Sequence, residues 1–177
     1  MAENRKIEKI DMRLFISVNL NDEMKDALID IQDTMRTYGI RGKDTVPENM
    51  HLTLAFIGEY DDPDRVKEIV ESIEIRPFVL SLKGVGAFRD LWWAGIENSA
   101  PLQSISRRLR RALAEADVPF DRKKFSPHIT IIRRAHGRLE DVPAEELEPH
   151  FGTSMTVDHI SLMRSDRGKN RMIYSEL

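Results

Sequence analysis

Residues 51–58 read HLTLAFIG and residues 128–134 read HITIIRR, so the tripeptide His-x-Thr occurs twice, each time opening an apolar run. Short runs rich in branched and aromatic residues are typical of β-strands, in which successive side chains point to opposite faces. The histidine and the threonine of each copy therefore share one face of a predicted strand. The apolar residues expected on the two buried faces are Leu52, Leu54, Phe56, Ile129 and Ile131.

The same framework surrounds both copies. A strand-like run precedes each histidine: Phe15 lies 36 residues before His51, and Trp93 lies 35 residues before His128. Between run and histidine, each half carries apolar residues at the i, i+3, i+4, i+7 spacing of an amphipathic helix, with Asn21 as the expected N-cap of the first. The predicted stripes are Met24, Ala27, Leu28, Ile31 and Met35, and then Leu102, Ile105, Leu109, Leu113 and Ala116. Two matched frameworks indicate an internal repeat.

The remaining segments alternate irregularly between helix and strand, which predicts a mixed α+β chain. A third helix is expected from Asp62-Pro63 to Arg76-Pro77, and a short acidic one around residues 144–147. Strands are expected at 78–82 and 91–96, separated by a turn at 83–86, and at 155–163 and 171–175, around a turn at 166–170. No linker divides the chain, so we expect one domain, residues 1–177. Only Met1 to Lys6 look frayed.

Composition narrows the class of protein. At 177 residues and 41% hydrophobic content, the chain suits one domain with a real core. It has no cysteine, which excludes disulfides and thiolate zinc sites. It also has no signal peptide and no apolar stretch of roughly 18 residues, so we expect a soluble cytoplasmic protein with no membrane partner. A net charge of −3 argues against a protein that coats nucleic acid, and favours a small ligand or the end of a nucleic acid.

The paired histidines suit proton transfer. One neutral imidazole can take a proton from water while a charged one gives a proton to a leaving oxygen. Thr53 and Thr130 add hydroxyls on the histidine faces, where an oxyanion between histidine and threonine contacts both. A phosphodiester fits two such pairs. The spacing His-Glu-x-x-His of a metal site is missing, so no cofactor or metal is expected.

Arginine residues offer further contacts to phosphate. Arg133 lies three residues after Thr130, but strict alternation puts it on the face of Ile129, so Arg134 is an alternative unless the strand bulges. The basic run Arg122-Lys123-Lys124 precedes His128 closely enough to rim a cleft. Phe15, Trp92 and Trp93 are candidates to stack on a base or to pack in the core.

The chain resembles the 2H phosphoesterases, and within them the RNA 2′,3′-cyclic phosphodiesterases, also described as 2′-5′ RNA ligases. The resemblance covers nearly the whole chain and rests on residues 13–16 (RLFI), 47–59 (PENMHLTLAFIGE), 84–88 (GVGAF), 93–96 (WAGI), 124–130 (KFSPHIT) and a closing segment at 162–174. It implies a bilobal α+β fold, a pseudo-two-fold pair of mostly antiparallel sheets with outer helices, in which both motifs meet in a central cleft. The repeat halves would be about 12–76 and 77–148, with C-terminal strands at 155–175 completing the sheets.

The resemblance also implies metal-free hydrolysis of a terminal 2′,3′-cyclic phosphate, on RNA or a small cyclic nucleotide, to a 2′-phosphate. We assign His51 as the proton donor and His128 as the proton acceptor, with the reverse order open. Thr53, Thr130, Arg133 and Phe15 are the expected substrate-binding residues, in a protein expected to be monomeric. Two alternatives stay open: cleavage or joining of 2′-5′ linkages, and an RNA-end binding module without turnover.

Overall fold

The computed structural model describes residues 13–177; the frayed segment expected at Met1 to Lys6 lies outside the described residues. The strands are β1 (Arg13–Asn19), β2 (Arg41–Asp44), β3 (His51–Glu59), β4 (Phe78–Phe88), β5 (Leu91–Ile96), β6 (His128–His136), β7 (Ser154–Val157), β8 (Ser161–Arg167) and β9 (Met172–Glu176). The helices are α1 (Asp22–Thr37), α2 (Pro63–Ser72), α3 (Ala100–Glu115) and α4 (Ala144–Leu147).

The strands form two sheets. The first has the order β3-β1-β8-β9 and the second the order β2-β6-β5-β4-β7, and neighbouring strands are antiparallel. Each histidine strand lies beside the strand-like run predicted upstream of it, so β3 pairs with β1 and β6 pairs with β5. The predicted α+β class with antiparallel sheets is confirmed. The division of one domain into two pseudo-symmetric lobes stays a prediction.

The helices follow the predicted stripes. Asn21 caps α1 by accepting a hydrogen bond from the Met24 amide at 3.0 Å, and Asp62 caps α2 in the same way from the Arg65 amide. α2 ends at Ser72, four residues before the predicted stop at Arg76, and Ile73 is already extended. The helical residues that are buried in the core include Met24, Leu28, Ile31, Leu102, Leu109 and Leu113.

The prediction of a turn at residues 83–86 is wrong. β4 runs through these residues without ending, and Lys83 and Gly84 together lie opposite Gly95, which makes a β-bulge. Gly84 adopts a φ of 77°, which a side chain would disfavour. Gly86 serves a different purpose, since a Cβ there would come within 2.3 Å of the Trp93 ring. The glycines thus bend the strand and clear space for an indole ring.

Two strand predictions also change. The single strand expected at residues 155–163 is two strands, because the chain leaves the second sheet after β7 and enters the first as β8. The short strand β2 was not expected, since its sequence Arg41-Gly-Lys-Asp44 is polar and contains glycine. β2 comes from the first half of the chain but pairs with β6 of the second sheet. This exchange brings residues from both halves to one cleft.

Candidate active site

The two histidine strands contact each other where the sheets meet, and a cleft of about 340 Å³ opens between them. This volume lies in the range of small-ligand sites, roughly 300 to 1,000 Å³. All six residues predicted for the site line it: Phe15, His51, Thr53, His128, Thr130 and Arg133. The other lining residues are Lys43, Asp44, Thr45, Val46, Asn49, Phe56, Leu91, Ser165, Arg171, Met172 and Tyr174.

Each histidine strand bulges just after its motif. In β6, Thr130 pairs with Trp93 and Ile132 with Trp92, which leaves Ile131 as the extra residue. The bulge reverses the alternation, so that Ile131 and Ile132 are both buried and Arg133 reaches the cleft. Arg134 does not line the cleft. Of these two neighbouring arginines, Arg133 is therefore the one that lines the cleft.

The bulge in β3 has the same effect on Phe56. Thr53 pairs with Ser17 and Ala55 with Ile16, so Leu54 is the extra residue, and it is buried together with Ala55. Phe56 is 42% exposed and lines the cleft. The expectation that Phe56 is a core residue is wrong, because it assumed strict alternation. The fifth residue after each motif histidine thus lines the cleft, as an aromatic ring on one side and a guanidinium on the other.

Both imidazoles are held by the same kind of hydrogen bond, from Nδ1 to a backbone carbonyl. Nδ1 of His51 lies 2.7 Å from the carbonyl oxygen of Asn49, and Nδ1 of His128 lies 2.8 Å from that of Ser126, in each case two residues upstream. A carbonyl only accepts, so each Nδ1 carries the hydrogen and donates it. In the neutral ring, Nε2 then carries the lone pair that can accept a hydrogen bond or a proton. Nε2 of His51 also lies 3.0 Å from the hydroxyl oxygen of Thr53.

Aromatic rings surround each histidine. The ring centroid of His51 lies 4.8 Å from that of Phe15 and 5.2 Å from that of Tyr174. Phe15 is only 4% exposed, and its ring contacts both His51 and Tyr174. The ring of His128 lies 5.3 Å from Phe88, which is 47% exposed. His51 is therefore in a more enclosed, less polar setting than His128.

This setting changes the protonation of His51. Burial lowers the pKa of its imidazole below the ordinary value of 6.5, and the hydrogen bond to the Asn49 carbonyl opposes this shift. The charges of Arg133 and His128 lower the pKa further. In the free protein at neutral pH, His51 is therefore neutral, with Nε2 as a hydrogen-bond acceptor for the Thr53 hydroxyl.

Arg133→Gln is expected to raise the pKa of His51 partway toward 6.5, because it removes a positive charge but leaves the burial that contributes most. Titration of the His51 ring signals by NMR measures the shift. Arg134→Gln is the matched control, since it removes a neighbouring charge that does not line the cleft. Equal His51 titrations in the two variants would contradict the electrostatic contact with Arg133.

Other predicted candidates lie elsewhere. Trp92 is 3% exposed and belongs to the core, and the basic run at residues 122–124 does not line the cleft. Lys43, Arg171 and Tyr174 line the cleft but were missed by the sequence reasoning. Lys43 lies on the strand that was not expected, and Arg171 follows the predicted turn at 166–170. The closing segment of the family resemblance, residues 162–174, contains Arg171 and Tyr174 and was the signal that pointed to them.

Comparison with known proteins identifies the family of this chain. The family model described as the 2′-5′ RNA ligase superfamily matches residues 33–169. The chain belongs to this superfamily. A protein of Methanothermobacter thermautotrophicus named RNA 2′,3′-cyclic phosphodiesterase is 29% identical, covering 94% of this chain and 96% of its own. One of the same name from Thermotoga maritima is 35% identical over 69% of this chain and 70% of its own. The resemblance predicted from the motifs is confirmed.

Solved structures share the superfamily's fold. Escherichia coli LigT in apo form has a TM-score of 0.78 at 24% identity, covering 94% of each chain. A Thermus thermophilus protein has a TM-score of 0.75 at 28% identity, covering 93% of this chain and 94% of its own. Within residues 13–177, no helix is long and apolar enough to cross a membrane. Nor do three or more acidic, histidine or cysteine side chains converge there as a metal site.

Proposed function

We propose that this protein hydrolyses terminal 2′,3′-cyclic phosphates of RNA, or small 2′,3′-cyclic nucleotides, to 2′-phosphates by a metal-independent two-histidine mechanism. The observation that carries the proposal is the pair of His-Thr motifs lining one cleft, each histidine with Nδ1 on a carbonyl and Nε2 available. The names of the relatives support the substrate class.

In the proposed reaction, Nε2 of His128 takes a proton from water while the water oxygen attacks phosphorus. The bond between phosphorus and O3′ breaks, and Nε2–H of His51 gives its proton to O3′. The phosphate stays on O2′. The hydroxyls of Thr53 and Thr130 and the guanidinium of Arg133 donate hydrogen bonds to the non-bridging oxygens, where charge accumulates. Phe15 supports the His51 ring, and its edge at the cleft is the proposed substrate contact.

The proposed acid begins from an unfavourable protonation state. An acid must be charged, whereas burial keeps His51 neutral in the free protein at neutral pH. The phosphate anion supplies the missing stabilisation, because a negative charge beside an imidazole raises its pKa. Substrate binding and protonation of His51 are therefore coupled in this mechanism. The pH profiles of the single histidine variants distinguish it from the reverse assignment, in which His51 is the base.

The superfamily's name favours joining of RNA ends through a 2′-5′ bond as a second candidate activity. By microscopic reversibility, the same two histidines would act with their roles exchanged. A binding module without turnover is disfavoured by the duplicated proton-transfer geometry, since binding alone requires no Nε2 held ready on both sides. We propose that the protein acts as a monomer in the cytoplasm.

Opening of adenosine 2′,3′-cyclic phosphate is expected to proceed in excess chelator, with adenosine 2′-phosphate as the product. The reason is that the two imidazoles, the two threonine hydroxyls and the Arg133 guanidinium supply every proton transfer and phosphate contact of the proposed mechanism. Chromatography against authentic 2′- and 3′-phosphates measures the outcome. Activity lost in chelator and restored by a divalent cation would exclude the metal-free mechanism, and a 3′-phosphate product would exclude O3′ as the leaving group.

A further inference from the structure

Three cationic side chains line the cleft in addition to the histidines, and we call them the positive wall. Lys43 of β2, Arg133 of β6 and Arg171 of the turn between β8 and β9 all line the cleft. Among the described residues that do so, Asp44 is the sole carboxylate, and it is ion-paired with Arg36. The chain as a whole has a net charge of −3, so this positive wall is a local feature and not part of a basic surface.

The positions of Lys43 and Arg171 are linked across the two sheets. Nζ of Lys43 donates a hydrogen bond of 2.9 Å to the carbonyl oxygen of Asn170, the residue before Arg171. Nδ2 of Asn49 donates a second bond, of 2.8 Å, to the carbonyl oxygen of Met172 on the other side of Arg171. The backbone around Arg171 is thus held against residues of the first half of the chain. The ammonium of Lys43 and the base of the Arg171 side chain are brought to the same place.

This arrangement is unfavourable without an anion. Lys43 lies directly opposite Arg133 in the pairing of β2 with β6, and like charges in facing positions of a sheet destabilise it. The proposed reaction explains only Arg133, because the histidines, threonines and Arg133 already supply the donors for one phosphate. Lys43 and Arg171 keep hydrogen-bonding capacity, since an ammonium has three donors and a guanidinium five.

We propose that Lys43 and Arg171 form a subsite for a second, non-reacting phosphate of the substrate. The substrates favoured are then oligonucleotides, or nucleotides with a further phosphate, over nucleoside 2′,3′-cyclic monophosphates. A single charge-assisted hydrogen bond is expected to contribute roughly 10- to 160-fold in affinity. This inference rests on the proposed function for its substrate, but its two residues are separate from the proton-transfer groups.

The experiment compares adenosine 2′,3′-cyclic phosphate with the same nucleotide carrying a 5′-phosphate. Wild-type protein is expected to have a kcat/KM roughly 10-fold or more higher for the 5′-phosphorylated substrate. Lys43→Gln and Arg171→Gln should each lower this ratio, and the double variant should bring it close to one. Lys43→Arg should retain the ratio, because it keeps the charge. Lys169→Gln is the matched control, since it removes a cation from the same turn that does not line the cleft.

A binding measurement separates this inference from the proposed function. By calorimetry, adenosine 2′,5′-bisphosphate should bind wild-type protein more tightly than adenosine 2′-phosphate, and the double variant should lose the difference. That result without turnover of either cyclic substrate would support the subsite and overturn the phosphodiesterase. Equal affinities in the wild type, or a preference that survives the double variant, would overturn the subsite even if both cyclic substrates are hydrolysed.

Discussion

His128→Ala is expected to lower kcat/KM on a 2′,3′-cyclic nucleotide by roughly 10² to 10⁴, and His51→Ala by a similar factor, the usual contribution of a positioned acid or base. The loss arises because each variant removes one of the two proton transfers while the donors to phosphate remain. The double variant should lose much less than the product of the two factors, since the histidines act as one unit. Initial rates at a common pH measure all three.

Stability measurements test whether a variant loses activity only because it unfolds. His128 lies on the cleft face with Nδ1 on a local carbonyl, so its removal should change thermal unfolding little. His51 packs against the rings of Phe15 and Tyr174, so His51→Ala leaves a gap, and His51→Gln serves as the better-filled companion variant. Near-normal turnover by a less stable His128→Ala protein would mean that this histidine is structural.

The repeat made much of this site predictable. The His-Thr motifs and their helices required only local periodicity, and the caps Asn21 and Asp62 needed only a polar side chain before a helical stripe. The bulges at Leu54 and Ile131 could not be predicted in the same way, because both residues are apolar and fit a regular strand. Their effect is visible only in the pairing, where it turns Phe56 and Arg133 toward the cleft.

The pairing of β2 with the second sheet could not be predicted from the sequence for a different reason. β2 is polar and short, and its stability comes from pairing with β6, a strand from the other half of the chain. Intrinsic strand preference depends strongly on such tertiary neighbours. Lys43 and Arg171 were missed with it, because neither lies near a motif in sequence. Their convergence depends on the sheet order, which local patterns do not specify.

The pH dependence of kcat/KM is expected to be bell-shaped, because one histidine must be neutral and the other charged in the free enzyme. The two limbs of the wild-type curve belong to the coupled pair and identify neither residue. Single variants resolve them. In His51→Ala the basic limb should disappear, since the remaining His128 need only be neutral. In His128→Ala the acidic limb should disappear, and the remaining fall in activity should follow the loss of the proton from His51.

The lowered pKa of His51 sharpens this prediction. Its charged form is lost as pH rises through a folded-state pKa below 6.5, and burial, the largest cause of this lowering, remains in His128→Ala although the charge of His128 is removed. The basic limb of this variant should therefore have its kcat/KM midpoint below pH 6.5. The limb should move to higher pH in kcat, because the bound phosphate raises the pKa of His51. Rate profiles from about pH 5 to 9 span the range in which imidazoles titrate. If His128→Ala instead loses its basic limb and keeps an acidic one, His51 is the base and the two roles are exchanged. A flat wild-type profile would mean that neither histidine transfers a proton in the limiting step, and the two-histidine mechanism would be wrong.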